Sequence, residues 1–186
     1  EASYLDGYED CYVLDLTKET TFKKYLMTAN ASPDFTVTEF DVSGILTVAS
    51  DVTGTASTAP VSGVTAVLKK GDEVVKTVTT QADGSYVFAE LTEGEYTVTF
   101  TGDSTIDRTI NVNVALNKAN YDQITIDNVG ICVVDYNKDN RIDATDVALF
   151  SKAKPDLDGN GAYDDNDVAI FKTFLFKTVN YTQLSY

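Results

Sequence analysis

Acidic and amide side chains recur at a fixed spacing, in two copies, near the C-terminal end of the chain. The copies cover residues 135–146 and 156–167, so they are offset by 156 − 135 = 21 residues. Oxygen-bearing side chains alternate along each copy, as they do in a twelve-residue loop that wraps one side of a hard cation. The candidate ligands, including two position-seven carbonyls, are Asp135, Asn137, Asp139, Arg141, Asp143 and Asp146 in the first loop, and Asp156, Asp158, Asn160, Ala162, Asp164 and Asp167 in the second. The protein supplies many ligands and all are oxygen, which favours Ca²⁺ over Mg²⁺, so we expect two Ca²⁺ ions.

Loop positions six and eight agree with this interpretation. Position six of such a loop needs a left-handed backbone, and it is Asn140 in the first copy and Gly161 in the second. Position eight is apolar, Ile142 and Tyr163, as expected if the two loops pair through a short β-bridge. One such loop could be an Asx-rich turn without an ion. Two full copies, each followed by a similar apolar stretch, favour metal binding.

Composition excludes several classes of function. The 186 residues contain 14 Lys and Arg, 29 Asp and Glu and no His, for a formal charge of −15. Such a charge repels nucleic acid, and the lack of His removes His-based triads and His-ligated zinc. No apolar run is long enough for a membrane span. The opening residues, EASYLDGYED, are not a signal peptide, and we expect an internal piece of a longer protein.

Paired carboxylates could also serve as glycosidase acids. The acids outside the loops fall in predicted turns or on solvated surface, and nothing places two of them across a cleft. We therefore expect no enzymatic activity and no small-molecule substrate. The acids weighed for this role are Asp83, Glu90, Glu93 and Glu95.

The elements before the loops read as all-β over residues 36–129. Short runs rich in Val, Thr, Ile, Tyr and Phe alternate with turn residues, which predicts a sandwich of about seven antiparallel strands. Tyr86 and Phe88 should face its core, and Gly84 should permit the preceding turn. Residues 1–35 are an N-terminal segment of uncertain structure that we expect to pack on the sandwich. The predicted strands are 35–49, 64–70, 73–80, 85–91, 95–102, 105–116 and 121–128, with a loop at 52–62, a candidate strand at 8–16 and either a short helix or a strand at 20–27.

The sandwich region resembles the carboxypeptidase regulatory-like, or transthyretin-like, β-sandwich family over roughly residues 38–115. The resemblance rests on V-S-G at 42–44, P-V-S-G-V at 60–64, D-G-S-Y-V-F at 83–88 and G-E-Y-T-V at 94–98. It implies a structural or adhesive module. Because one fold hosts many functions, the resemblance implies no activity.

The loop region resembles a second family. The residues before Asp135 are rich in β-branched residues and glycine and do not form an amphipathic pattern, so each unit is a loop followed by a helix. The tandem arrangement and the aspartate at position twelve resemble the dockerin family of bacterial cellulosomes over residues 130–177. This resemblance implies a calcium-held helical module at 130–186 that binds a cohesin on a scaffoldin or a cell-surface anchoring protein.

A sandwich followed by a terminal dockerin resembles the X-module–dockerin pairs of cellulosomal proteins. The resemblance implies a non-catalytic assembly module, secreted into a complex on the bacterial cell surface and braced by the sandwich. Alternatively, the sandwich is an unrelated spacer domain. A calcium-stiffened extracellular adhesin or spacer is the second function considered. A carbohydrate-binding module is the least favoured, because the chain has no Trp and its tyrosines alternate with apolar strand residues.

In dockerins, loop positions ten and eleven help to choose the cohesin. These positions hold Ala144 and Thr145 in the first loop and Asp165 and Asn166 in the second, so the two pairs differ in charge and size. The first helix should also stop near Pro155, whereas the second should continue through Phe176. We therefore expect one binding orientation. Alternatively, Asp165 and Asn166 only help to cap the second helix. The expected partner-binding residues are Ala144, Thr145, Ala148, Lys152, Asp165, Asn166, Lys172 and Thr173.

The two cysteines leave two options. Cys11 and Cys132 could form a disulfide, as an even pair does in many secreted proteins. Alternatively, both are buried free thiols that pack as small hydrophobic side chains.

Overall fold

The computed structural model describes residues 25–27, 35–37, 39–120 and 122–186. The chain divides into two compact units, Glu1–Thr38 and Glu39–Tyr186. In the first, β1 (Tyr25–Met27) pairs antiparallel with β2 (Phe35–Val37). Of the two structures considered for residues 20–27, residues 25–27 therefore form the strand. The candidate strand at 8–16, the rest of 20–27 and Cys11 lie outside the described residues.

The second unit contains a two-sheet β-sandwich, as predicted. The first sheet is built around the long strand β3, which is flanked by β7 and β10 along its first half and by β4 and β11 along its second. The second sheet is antiparallel in the order β6-β5-β8-β9. The strands are β3 (Phe40–Ala49), β4 (Ala56–Pro60), β5 (Thr65–Lys70), β6 (Glu73–Thr79), β7 (Ser85–Leu91), β8 (Gly94–Thr101), β9 (Arg108–Val114), β10 (Gln123–Thr125) and β11 (Val129–Ile131), with a 3₁₀ turn at Leu116–Lys118.

Two details of the predicted sandwich are wrong. The predicted loop at 52–62 contains β4, whose sequence ASTAP lacks the apolar alternation of a strand but pairs antiparallel with the end of β3. The strands are also not all antiparallel, because β10 and β11 run parallel to β3. These parallel pairings join segments that are far apart in sequence, which a local residue pattern does not specify.

The core between the sheets forms as the strand pattern predicts. Tyr86 and Phe88 are 2% and 0% exposed, and the Tyr86 ring packs edge-on against Phe100 with centroids 5.1 Å apart. Gly84 has a φ of 76°, and a Cβ there would lie 2.4 Å from the Leu46 carbonyl oxygen. Only glycine fits this turn, which brings β7 against β3.

Two helices follow the sandwich, α1 (Ala144–Ala153) and α2 (Asp165–Phe174). Each begins in a capping box, in which the aspartate before the helix and the aspartate three residues later satisfy each other's backbone N–H groups. Both helices have ten residues, so the predicted difference in length is wrong. The second helix ends at Phe174 because Leu175 leaves the helical conformation with a ψ of 124°. Phe176 then adopts a φ of 57°, and its N–H donates to the Ile142 carbonyl at 2.8 Å.

The helices and the sandwich share a buried cluster. Phe150 of α1 stacks on Phe171 of α2 with ring centroids 4.2 Å apart, and both contribute to a cluster that includes Val48, Ala49 and Ala59 of the sandwich. The predicted boundary between residues 129 and 130 stays a prediction. The structure adds that residues on either side of it belong to one compact unit.

The C-terminal segment 179–186 returns to the sandwich. Its backbone N–H groups at Asn180 and Thr182 donate to Val52 and Thr53, each at 2.8 Å. Further along, Asn111 of β9 donates to Leu184 at 3.0 Å. Within the described residues, no helix is long and apolar enough to cross a membrane.

Candidate functional site

The two aspartate-rich loops lie directly before the two helices. The first connects β11 to α1, and the second connects α1 to α2. The last aspartate of each loop, Asp146 or Asp167, is also the third residue of the helix and closes its capping box. Each loop is therefore held at its C-terminal end by the first turn of a helix.

The loops share one hydrogen-bond pattern. At position one, Asp135 accepts from the Asn140 N–H at 3.0 Å, and Asp156 accepts from the Gly161 N–H at 2.7 Å. The same seven bonds occur at equivalent positions of both loops. The position-one carboxylate accepts from the N–H groups of positions five and six, and the position-twelve carboxylate accepts from those of positions two and nine. The N–H of position five also donates to the side chain of position three, that of position seven to position five, and that of position eleven to position nine.

The backbone at position six is left-handed in both loops, as predicted. Asn140 has a φ of 63° and Gly161 one of 89°. Position four is also left-handed, at Lys138 with 58° and Gly159 with 78°, which the residue pattern does not indicate. Alternating left-handed residues turn successive N–H groups towards the first carboxylate of each loop.

The predicted ligands converge in the second loop. Carboxylate oxygens of Asp156, Asp158 and Asp167 lie within 4.8 Å of one another. The side-chain amide of Asn160 donates to Asp158 at 3.0 Å and to Asp164 at 3.1 Å, which draws these acids together. The N–H of Ala162 donates to the Asn160 oxygen at 2.8 Å and fixes the position-seven peptide.

The first loop holds its carboxylates deeper in the protein. Asp135 and Asp146 are both 0% exposed. Asp139 accepts from the Asn137 amide and from the Arg141 N–H at 2.8 and 2.9 Å, and Asp143 accepts from the Thr145 N–H at 2.8 Å. These four carboxylates, two of them buried, receive only backbone and amide N–H groups, so they present clustered negative charge and oxygen ligands, the chemistry that suits a hard divalent cation.

In the described part of the chain, no basic side chain forms an ion pair with these acids. Among residues 39–120 and 122–186, the ion pairs are Lys76 with Glu90 and Lys138 with Asp107, and neither involves a loop aspartate. The two loops differ in their electrostatics. Burial raises the pKa of Asp135 above its usual value, whereas the hydrogen bond from the Gly161 N–H lowers the pKa of Asp156.

The expected β-bridge between the two positions eight is wrong. Ile142 is buried, and its carbonyl accepts from the Phe176 N–H that follows α2. Tyr163 instead packs edge-on against Phe150, with ring centroids 5.8 Å apart. Across the part of the chain that the structure describes, no bridge joins Ile142 to Tyr163. Phe176, two residues beyond the end of α2, makes the hydrogen bond to Ile142 that was expected from Tyr163.

The expected partner-binding residues lie on the helices and reach the surface. The N-cap of α2 is Asp164 rather than Asp165 or Asn166, and neither of the latter side chains makes a hydrogen bond to the described residues. The N-cap hydrogen bond is therefore made by Asp164, and Asp165 adds a negative charge to the first turn of α2. Seven of the eight are exposed, namely Ala144, Thr145, Ala148, Lys152, Asp165, Asn166 and Lys172, and Thr173 is half-buried with its hydroxyl donating to Ile170.

Lys138 of the first loop and Cys132, which precedes it, both contact or enter the sandwich. Lys138 donates to the Thr105 carbonyl at 2.6 Å and pairs with Asp107 at 3.0 Å. Cys132 is buried and has no disulfide partner among the described residues, and burial raises the pKa of its thiol to about 12. Its pairing with Cys11 stays a prediction, because Cys11 lies outside the described residues.

Comparison with known protein families matches residues 50–146 to the SdrD B-like domain, which is just over half of the chain. The chain belongs to the SdrD B-like domain family. The family match supports the predicted β-sandwich, and it covers β4 to β11 and the first loop of this SdrD B-like chain but not the second loop. No curated protein matches the chain.

Solved structures with a similar fold include two chains from mutants of a type II cohesin–X-dockerin complex of Acetivibrio cellulolyticus. They are 20% and 22% identical to this SdrD B-like chain, with TM-scores of 0.48 and 0.49, and each match covers 75% of this chain and 97% of the other. The Bacillus anthracis TIE protein is 14% identical with a TM-score of 0.43, over 54% of this chain and 18% of that one. TM-scores this low do not establish a shared function.

Proposed function

We propose that residues 130–186 form a calcium-binding dockerin whose two loops each bind one Ca²⁺ ion. The observation that carries the proposal is the set of seven hydrogen bonds repeated at equivalent positions of both loops. Plain Asx turns do not require such a repeat, whereas two copies of one ion-binding loop do. The buried pair Asp135 and Asp146 adds a physical need for a cation, because uncompensated buried carboxylates are costly.

Each ion takes its ligands from one loop. The aspartates and asparagines at positions one, three, five and twelve supply side-chain oxygens, position seven supplies a carbonyl, and Asp143 or Asp164 at position nine acts through water. Residues 131–186 contain nine Asp, no Glu and six Lys or Arg, so the segment has a formal charge of 6 − 9 = −3. Two divalent cations remove the mutual repulsion of these acids, and calcium binding is thereby coupled to folding.

Calorimetry of the full chain tests the ion sites. Titration of the calcium-free protein should give two ions per chain, and scanning calorimetry should show a higher melting temperature in calcium than in chelator. Asp156→Asn removes an exposed carboxylate from the second loop and should reduce the stoichiometry to one, with Asp165→Asn as a control of equal charge that removes no ligand. If melting of the C-terminal part is unaffected by chelator, the calcium proposal fails.

We further propose that the exposed sides of α1 and α2 bind a cohesin domain in one orientation. A dockerin with two like faces can bind in two orientations related by a half-turn. Here Asp165 takes the position of Ala144, and burial of a carboxylate at a surface fitted to alanine costs several kcal/mol. A difference of about 1.4 kcal/mol already gives a tenfold preference, so one orientation should dominate. The two helices have equal length, and the preference therefore rests on the residue pairs alone.

A double exchange tests the single orientation. The variant carries Ala144→Asp and Thr145→Asn in the first pair with Asp165→Ala and Asn166→Thr in the second. The docked pose should turn by half a rotation, as shown by a structure of the complex or by cross-linking from an introduced cysteine. Unchanged affinity and an unchanged pose would contradict the single-orientation proposal.

The whole chain, in this proposal, is a non-catalytic module of an extracellular complex on the bacterial cell surface, with the sandwich bracing the dockerin. The shared cluster of Val48, Ala49 and Ala59 with the helices supports a bracing role. A calcium-stiffened adhesin or spacer is the second candidate, favoured by membership of the SdrD B-like domain family. Affinity gels with cellulose and other glycans test the carbohydrate-binding alternative. Glycan binding without cohesin binding would overturn the proposal.

A further inference from the structure

Within the part of the chain that the structure describes, only the first of the two loops is hydrogen-bonded to the sandwich. Lys138 of the first loop donates to the Thr105 carbonyl at 2.6 Å and pairs with Asp107 at 3.0 Å, and we call these two contacts the clasp. The Asp135 N–H also donates to the Ser104 carbonyl at 2.9 Å. Among the described residues, no hydrogen bond joins loop residues 156–167 to the sandwich.

We propose that the clasp couples ion binding by the first loop to the order of the connection between β8 and β9, whereas the second loop binds its ion independently. Lys138 acts as a positioning residue, since it would not itself contact the ion. The inference rests on the calcium sites proposed above. By linkage, any contact that the ion strengthens in the sandwich must in turn strengthen ion binding in the first loop.

Lys138 is well placed to transmit such an effect. It stands at position four, between the candidate ligands Asn137 and Asp139, and its backbone is left-handed at a φ of 58°. This turn directs the N–H groups of Asp139 and Asn140 to Asp135, at 3.2 and 3.0 Å. Holding the Lys138 side chain on the sandwich therefore holds the turn that shapes the first loop.

The second loop has no equivalent of Lys138. Its position four is Gly159, where an added Cβ would lie 3.1 Å from both the Cα and the Cβ of Ala59. The loop thus meets the sandwich through apolar packing at Ala59 and Leu157. Such packing does not fix the direction of a ligand as a charged hydrogen bond does.

The sandwich side of the clasp is ordered by its own bonds. The Thr105 hydroxyl accepts from the Gly102 N–H at 2.8 Å and donates to the Gly102 carbonyl at 3.1 Å, and Thr105 is 2% exposed. The Ile106 N–H donates to the Cys132 carbonyl at 3.1 Å, just before β9 begins at Arg108. A continuous set of bonds thus runs from the first loop into the second sheet.

Loss of the ion should also have unequal consequences in the two loops. In the first loop it leaves two carboxylates, Asp135 and Asp146, that are 0% exposed beside the sandwich connection. In the second loop Asp167 is also 0% exposed, but Asp156 is exposed and water can solvate it, and among the described residues no hydrogen bond ties this loop to the sandwich. Emptying the first loop should therefore loosen the sandwich connection, and emptying the second should not.

The affinity test uses the full chain with one loop disabled at a time. Asp156→Asn disables the second loop and Asp139→Ala the first, and both residues are exposed, so neither change should unfold the protein. In the Asp156→Asn background, Asp107→Asn should weaken calcium binding by about two- to fivefold more than Asp103→Asn, the range expected for a partly exposed ion pair. Asp103 is a matched control, because it lines the same groove as Lys138 and carries the same charge but has no ion pair with it.

The clasp predicts a different result in the Asp139→Ala background. There the second loop alone binds calcium, and Asp107→Asn and Asp103→Asn should have equal effects on its affinity. A merely structural role of Asp107 would lower stability without this difference between the loops. Equal effects of the two substitutions on the first loop would overturn the inference.

Hydrogen exchange gives an independent readout. Calcium should protect the amides of residues 102–110 in Asp156→Asn and should leave them unchanged in Asp139→Ala. Protection in both backgrounds, or in neither while calcium binds, would overturn the inference and leave the proposed calcium sites intact. If neither loop binds calcium in the unmodified chain, the proposed function fails together with the inference.

Discussion

Arg108 joins three parts of the second unit, so its replacement by lysine should weaken the contacts between them. The side chain is 2% exposed, and its guanidinium donates to the carbonyls of Gly54 at 2.7 Å, Gly130 and Thr182 at 3.2 Å. It also lies over the Tyr181 ring at 4.8 Å. One side chain thus ties the loop before β4, the strand β11 and the C-terminal segment to β9.

The expected loss follows from this geometry. Arg108→Lys keeps the charge, but a single ammonium group cannot reach three carbonyls that a planar guanidinium spans, nor stack on the Tyr181 ring in the same way. A hydrogen bond to a charged group contributes about 1.5–3 kcal/mol, and at least one should be lost while a buried carbonyl stays unpaired. We therefore expect a loss of about 3 kcal/mol in the free energy of unfolding, or roughly 6–12 °C in melting temperature for a unit of this size.

Thermal and denaturant unfolding of the full chain in calcium measure this loss. Arg141→Lys is the matched control, because Arg141 is the other arginine of the chain and is exposed. Its replacement should change the free energy of unfolding by less than about 0.5 kcal/mol. Equal melting temperatures for the two variants would refute the assignment of Arg108 as the residue that joins these segments.

Three further predictions concern single residues. Tyr181→Phe should destabilise the second unit by about 1–3 kcal/mol in denaturant unfolding, because it leaves the Cys132 N–H and the Ile106 carbonyl without the hydroxyl they bond at 2.9 and 2.8 Å. Gly161→Ala should destabilise the second loop by about 1–2 kcal/mol, because a φ of 89° is unfavourable for alanine, and a raised calcium concentration for half-saturation would report it. In the reduced protein, Cys132 should resist iodoacetamide at pH 8 until guanidinium is added, because burial raises its pKa to about 12, and rapid native labelling seen by mass spectrometry would contradict this.

Local sequence patterns predicted the parts of the structure that depend on neighbouring residues. The left-handed backbone at Asn140 and Gly161, the turn at Gly84 and the inward-facing Tyr86 and Phe88 are confirmed. Each follows from the conformational range of one residue or from the two-residue period of a strand.

The same local patterns did not predict contacts between segments that are distant in sequence. The parallel pairing of β10 and β11 with β3, the strand at Ala56–Pro60 and the bond from Phe176 to Ile142 all depend on segments distant in sequence. The same is true of the clasp at Lys138, since nothing near that residue marks Thr105 as its partner. The candidate ligand residues follow from spacing, but the unequal attachment of the two loops to the sandwich does not.

Binding of the full chain to a panel of immobilised cohesin domains, with calcium and with chelator, tests the central claim most directly. We predict that the calcium-loaded chain binds at least one cohesin, that chelator releases it, and that calcium restores binding. A chain that takes up two calcium ions but binds no cohesin in the panel would contradict the dockerin function and favour the adhesin or spacer alternative. Cohesin binding that chelator leaves unchanged would contradict the role proposed for the two loops.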